Sequence, residues 1–357
     1  MPAVTLIIPK LFEPLLLWNQ DFLFKAEAPF LSQLLSAYTL SYVKQSKGFD
    51  ASLFANLGFS AGELPSAVYR IQMHSKIVKK GGGVYSVDDG QARKKQLLCA
   101  DPVHLVVGIN DITLTQRITD VSEADAKEII SALNAHFSQE GFEFIYGAEG
   151  QWYLSLDADD TLATTPVDNV LRKNIVSYLP QSDSVNWKLI QNEVQMLLHS
   201  LSFNSEREIQ GFPMLNSLWF WGGGQPQECK KSVDMVLSTS QSKGLMLAKA
   251  AACECKTIAD SGEFENLLGD LKGANIVILD TLQQASIADD LDAYQQALST
   301  LDSTMFKPLY LAWKAGDIEL SIDACDGNVL TPMKSSSWVF WRKPSKALID
   351  IAKDISL

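Results

Sequence analysis

The pattern of apolar and polar positions divides the chain into stretches of different rhythm. The opening run Val4-Thr5-Leu6-Ile7-Ile8 is short, apolar and closed by Pro9, which predicts a first buried strand. Residues 10–60 are rich in Leu, Phe and Ala, and Leu31, Leu34, Leu35 and Tyr38 recur at helical spacing, predicting a helix over 28–46 that stops before Gly48. Between Lys79 and Gly90 the glycine-rich string reads as a surface turn; its lysines and three glycines lack the spacing of a nucleotide-binding loop.

From 97 the rhythm becomes strand-like. Leu97–Val107 gives strand runs broken by Pro102, and Ile112–Leu114 a second strand after an Asn110-Asp111 turn. Ser122 can cap a helix whose first turn is acidic, whose apolar face is Ala126, Ile129, Ile130, Leu133 and Phe137, and which Gly141 ends. A hairpin follows around Gly147 and Gly150. Trp187–Leu201 has the apolar face of an amphipathic helix (Ile190, Val194, Leu197, Leu198). Strand and helix patterns then alternate: strands near 233–238 and 274–280, helices near 243–251 and 289–301. Such alternation predicts parallel strands joined by crossover helices. The expected architecture is α/β: a mainly parallel sheet flanked by helices, formed by 1–96 and 161–357, with 97–160 as an inserted α+β subdomain.

Composition narrows the function classes. At 357 residues the chain can bury a large core, and 46% apolar with 20% charged residues is ordinary for a globular protein. A net charge of −12 argues against a sequence-independent grip on nucleic acid, which needs clustered Lys and Arg. The N-terminal apolar run lacks a basic leader and a cleavage site, and no stretch is long enough for a membrane span, so a cytoplasmic protein is expected. The five cysteines, with Cys253 and Cys255 one residue apart, do not match common zinc or redox spacings and read as reduced thiols.

The candidate chemistry centres on Asn216-Ser217-Leu218-Trp219-Phe220-Trp221-Gly222-Gly223-Gly224, an apolar strand running into glycines that allow positive φ or close approach. Its plain reading is a buried strand and tight turn. Asp101 and His104 in Asp101-Pro102-Val103-His104 offer a carboxylate and an imidazole for acid–base work, although a hydrogen-bonded strand pair is the simpler reading. Arg207 lies just upstream of the tryptophan–glycine string. Trp219, Trp221, Trp338 and Trp341, with Arg342 and Lys343, offer an aromatic surface for a partner, though tryptophans are more often core.

With the Asn204-Ser205-Glu206-Arg207 segment, the Leu98–Leu105 segment and the Trp338-Val339-Phe340-Trp341-Arg342-Lys343 string, this constellation resembles a bacterial family of regulatory proteins of the RpfE type. That family is similar in turn to archaeal-type cofactor-independent phosphoglycerate mutases of the alkaline phosphatase superfamily. The resemblance implies an alkaline-phosphatase-like sheet and a ligand crevice near Asn216, Trp219, Gly222, Gly223, Gly224, Asp101, His104, Arg207 and the strand ends.

The superfamily's chemistry needs two divalent metals held by Asp and His, with a Ser or Thr nucleophile. Its enzymes carry Asp-Gly after the first strand and Gly-His shortly after a late Asp. Here the first strand runs into Pro9-Lys10-Leu11, and the strand ending at Asp280 runs into Thr281-Leu282-Gln283. No His follows His199. An all-carboxylate site for Mg²⁺ or Mn²⁺ would have to draw on Asp289, Asp290 and Asp292, which read instead as the acidic start of a helix. The expectation is a non-catalytic regulatory or binding protein with no metal and no cofactor, whose partner is a protein or a small phosphorylated ligand. The alternatives are a metal-dependent phosphomutase or phosphatase with rearranged ligands, and a pure interaction protein docking through its C-terminal aromatics.

Overall fold

The computed structural model describes residues 1–21, 27–59, 64–74, 95–109, 111–157, 162–258, 260–334 and 347–355. The glycine-rich turn expected at Lys79–Gly90, Asn110 and the Trp338–Lys343 string lie outside them. Its strands are β1 (Ala3–Ile7), β2 (Tyr38–Lys47), β3 (Lys95–Val107), β4 (Ile112–Arg117), β5 (Glu143–Ala148), β6 (Gln151–Asp157), β7 (Ser217–Trp221), β8 (Met235–Ser238), β9 (Glu254–Thr257), β10 (Ala274–Ile278), β11 (Glu319–Asp323) and β12 (Asp326–Pro332). The chain divides into two compact units, Met1–Ser60 with Glu228–Leu357, and Ala61–Gln227.

The first unit is α/β. Its seven-stranded sheet has the order β2-β12-β11-β1-β10-β8-β9; β11, β1, β10, β8 and β9 run parallel, and β12 pairs antiparallel with β11 on one side and with β2 on the other. Side chains alternate across a strand. Leu6, Ile8, Val277, Leu279, Leu320 and Ile322 therefore join one core with flanking helices that include Leu291–Leu301, Lys307–Ala315 and Leu348–Ile355. Ile7, Val236, Ile276 and Ile278 are buried as well. Burial on both faces is what makes such strands read as continuous apolar runs. The mainly parallel sheet flanked by helices is the architecture expected from the alternation.

One helix was misplaced. The pattern predicted a helix over 28–46; the structure has a helix only at Pro29–Leu34, then edge strand β2. The apolar residues Leu31, Leu34 and Leu35 do face the core, but Thr39-Leu40-Ser41-Tyr42 is exposed and pairs with β12 instead. Its β-branched and aromatic residues suit a strand.

The second unit is built on an antiparallel sheet, β4-β3-β6-β5, with β7 also paired to β3. One face packs Leu98, Ala100, Phe144, Leu154, Leu218 and Phe220 against the helices Glu123–His136 and Trp187–His199. Ser122 caps the first of these, its Oγ accepting from the Asp125 amide, as its position before an acidic turn suggested. The other face packs Leu97, Cys99, Val103, Leu105, Trp219 and Trp221 against Ala67, Ile71, Val167 and Val170.

β3 is one long strand in spite of Pro102. Cys99 pairs with both Tyr153 of β6 and Trp221 of β7, and Val103 with both Arg117 of β4 and Ser217 of β7, so β6 and β4 share the side of β3 opposite β7. Pro102 falls in the gap between those two ladders, where its carbonyl accepts from Ile118 (2.9 Å) and its missing N–H leaves no ladder bond unmade.

Candidate functional site

In an open α/β sheet, ligands gather beyond the carboxyl ends of the strands. Here β1 leads through Ile8 and Pro9 to Lys10, a non-glycine residue at φ 62° whose ammonium pairs with Glu13. The loop is fixed from a distance. The hydroxyl of fully buried Tyr294 lies 2.9 Å from the carbonyls of both Lys10 and Leu11, and Trp18 packs edge-on against its ring at 5.1 Å.

The carboxylates at this edge have partners. At the end of β11, Asp323 is buried and accepts from Ser52 Oγ (3.0 Å), Asn56 Nδ2 (2.9 Å) and the Cys325 amide (2.9 Å). Burial pushes its carboxyl up, against the pull of those three bonds. Asp280, after β10, accepts from Thr239 Oγ1 (3.0 Å). Asp50 is buried and receives Lys243 Nζ on both oxygens at 3.0 Å. Asp290 caps the helix Leu291–Leu301 by accepting from Ala293 N (2.9 Å), and Asp289 accepts from the Trp18 indole (3.0 Å). Among the described residues, no three His, Cys, Asp or Glu side chains are grouped to hold a metal ion.

The residues singled out by sequence lie in the other unit, around β3 and β7, and fall into separate sets. Asn216 stands just before β7 begins: its amide exchanges both backbone bonds with Leu105, at 2.8 Å each, beside a bulge in the β3–β4 ladder. His104 Nδ1 lies 2.7 Å from the Met214 carbonyl, which assigns the proton to that nitrogen. Arg207 donates Nε to the Pro213 carbonyl (2.7 Å) and Nη2 to both oxygens of Asp120 (3.0 and 3.1 Å), between the rings of Phe203 and Phe212. With Asn204, which bonds both Leu215 N and Leu215 O, these side chains fasten residues 213–216 to their surroundings.

Asp101 belongs to a different set, and it does not meet His104. Its side chain points into the apolar face that holds Cys99 and Val103, where it receives Arg70 Nη2 (2.6 Å), Arg70 Nη1 (3.1 Å) and the Trp221 indole (2.9 Å). Burial alone would raise this carboxyl. The charges of Arg70 and Arg117, with the hydrogen bonds from Arg70 and Trp221, outweigh that and hold it below the usual carboxylate range. Arg70 also bonds the Trp152 carbonyl (3.1 Å) and the Tyr153 hydroxyl (3.3 Å), which His74 approaches at 3.0 Å. Burial and the Arg70 charge push the His74 imidazole down. The sequence reading missed Arg70. The signal was there: an Asp at a core-facing position of a strand requires a buried cation or donors nearby.

Trp219 is fully buried and donates its indole N–H to the Thr165 carbonyl (2.8 Å). The glycines continue β7 into a tight passage. Gly222 sits at φ 72°, donates to Thr164 Oγ1 and accepts from the Ala67 amide (both 3.0 Å). A Cβ there would lie 3.0 Å from Ser66 Cβ and 3.3 Å from the Ala67 amide and Cys99 Sγ; one on Gly223 would lie 2.6 Å from Leu98 Cδ2. Gly224 follows at φ 140°. Gly222→Ala is expected to destabilise this unit by about 1–3 kcal/mol through backbone strain and crowding, read as a lower urea midpoint with an unchanged m-value.

No protein-family model and no curated protein sequence matches the chain. Solved structures that match the chain include these two. The PH0037 protein from Pyrococcus horikoshii has a TM-score of 0.51 at 10% identity, over 92% of this chain and 87% of that one. A cofactor-independent phosphoglycerate mutase from Thermoplasma acidophilum has a TM-score of 0.38 at 15% identity, over 94% of this chain and 90% of the mutase. The first likeness shows that the fold recurs in another protein; at that identity it speaks for fold alone. Among the described residues, no helix is long and apolar enough to cross a membrane.

Proposed function

We propose that this chain is a non-catalytic regulatory or binding protein on a phosphoglycerate-mutase-like fold, of the kind suggested by its resemblance to RpfE-type regulatory proteins. The observation that carries this reading is the occupancy of the parallel sheet's carboxyl edge. A two-metal site needs several ionised carboxylates that converge with free lone pairs. At this edge β1 leads into a lysine, Asp50 is neutralised by Lys243, and the oxygens of buried Asp323 are taken up by three donors of the protein itself. Lys10 is itself paired with Glu13; the ligand class that the resemblance suggests for the edge is a small phosphorylated molecule.

The test is metal analysis of freshly purified protein, followed by turnover assays with Mn²⁺ and 3-phosphoglycerate. The expected result is substoichiometric metal and no turnover. Stoichiometric metal with activity abolished by a chelator would overturn the reading in favour of a phosphomutase or phosphatase with rearranged ligands.

A further inference from the structure

We propose that β2, the outermost strand at one edge of the seven-stranded sheet, is the surface through which two copies of this chain associate, running antiparallel about a twofold axis at Ser41. The ladder to β12 shows which way the backbone of β2 points. Met333 N donates to Ala37 O (2.8 Å) on the β2 side of β12, and Ala324 N donates to Asn328 O (3.3 Å) on the β11 side. Hydrogen-bonded pairs alternate along an antiparallel ladder. By the register Thr39↔Thr331 and Ser41↔Val329, the N–H and C=O groups of Thr39 and Ser41 face β12, and those of Leu40 and Tyr42 face away from it. Among the described residues, these outward groups of Leu40 and Tyr42 have no hydrogen-bond partner. Leu40 is 46% exposed and Tyr42 65%.

An edge open to solvent invites pairing, and proteins ordinarily blunt theirs with charge, proline, shortness or cover. The other edges of this chain carry such devices. β9, at the far side of the same sheet, is four residues long and contains Glu254 and Lys256. In the antiparallel unit the Asn134 amide fills both backbone groups of Phe144 on β5 (2.9 and 2.6 Å). There too, Arg172 N and Ile175 N donate to Leu114 O (2.7 Å) and Ile112 O (2.8 Å) on β4. Residues 38–43 of β2 hold no charge and no proline. The occupant is a second copy because this stretch is self-complementary. With Ser41 on the axis, Leu40 of each copy stands opposite Tyr42 of the other, and the two pairs form four hydrogen bonds that use every outward group of both residues. An aliphatic and an aromatic side chain meet in each pair, a combination that stabilises a sheet. Leu40 is the register partner of fully buried Leu330, so Tyr42 of the second copy covers the place where the core reaches the edge. Serine meets serine on the axis, Thr39 meets Val43, and Lys44, the first charge along the strand, falls opposite Tyr38. No like charges are opposed within the paired stretch.

The experiment is sedimentation velocity on the full chain from about 1 to about 500 µM, the range in which a small interface associates. Wild type should pass from monomer to dimer as concentration rises. Leu40→Lys with Tyr42→Lys sets lysine opposite lysine twice and should weaken association at least about tenfold. Leu40→Glu with Tyr42→Glu should do the same. A mixture of the two double variants should dimerise, because each lysine then meets a glutamate. Ser41→Cys tests the register while keeping Leu40 and Tyr42. Residues opposite each other at such a position lie roughly 4.5 Å apart, within reach of a disulfide. Oxidised with diamide, Ser41→Cys should give a covalent dimer. Thr39→Cys, whose counterpart lies roughly 13 Å away along the strand, should not, and nor should wild type with its five native cysteines. A wild type that stays monomeric overturns the proposal. So do lysine variants that dimerise like wild type, a mixture that stays monomeric, or Thr39→Cys crosslinking as readily as Ser41→Cys. If the charged variants do not fold, as judged by circular dichroism, the two cysteine variants decide.

Discussion

Arg70→Ala is expected to lower the stability of the antiparallel unit by about 3–5 kcal/mol, because it leaves the Asp101 carboxylate buried without its main counter-charge. In a unit of this size that corresponds to a fall in melting temperature of roughly 6–20 °C. The pH dependence should change sign. In the wild type the folded Asp101 titrates below its unfolded value, so its contribution is present above the ordinary carboxyl pKa and is lost as pH falls through the depressed one. Without Arg70, burial becomes the dominant influence and raises the carboxyl, so stability should fall as pH rises past the unfolded value. Urea denaturation from pH 3 to 8 separates the two profiles; parallel profiles would count against the pair as the source. Replacing both partners, Arg70→Met with Asp101→Leu, should recover much of the loss, since an apolar pair needs no compensation.

What was legible in the sequence is what neighbouring residues decide. The capped helix after Ser122, the amphipathic helix at Trp187 and the alternating strands and helices beyond 233 follow from periodicity and caps, and the parallel sheet follows from the alternation. The segment 36–46 was misread because Leu31, Leu34, Leu35 and Tyr38 keep helical spacing past the point where the helix stops, and pairing with β12, nearly three hundred residues on, makes the rest an edge strand. The polar residues were visible, but their partners were not. Asp101 stood out beside His104, yet it pairs with Arg70, 31 residues earlier, and Trp221, 120 residues later. Asn216 stood out as a ligand donor, and its amide is engaged as a substitute for strand backbone. Side-chain chemistry at long separation is set by the fold, and no local pattern encodes it.

The loop after β1 is the extreme case, and it yields the second large effect. Tyr294 lies 284 residues from Lys10, yet its hydroxyl bonds the carbonyls that close the turn at φ 62°. Tyr294→Ala should cost about 3–5 kcal/mol from the loss of a large buried ring. Tyr294→Phe removes only the hydroxyl and should cost about 1–3 kcal/mol for acceptors left without their donor. The difference between the two variants isolates packing from polar support, because Trp18 still has a ring to pack against in the phenylalanine protein. A Lys10→Gly variant gives the complementary measurement. Glycine adopts positive φ without strain, so on the Tyr294→Phe background it should recover part of the lost stability. Recovery would show that the tyrosine holds the backbone of Lys10 in a conformation it would otherwise leave. No recovery would mean that the hydroxyl acts only by filling two acceptors, and that the turn is imposed by the strands on either side.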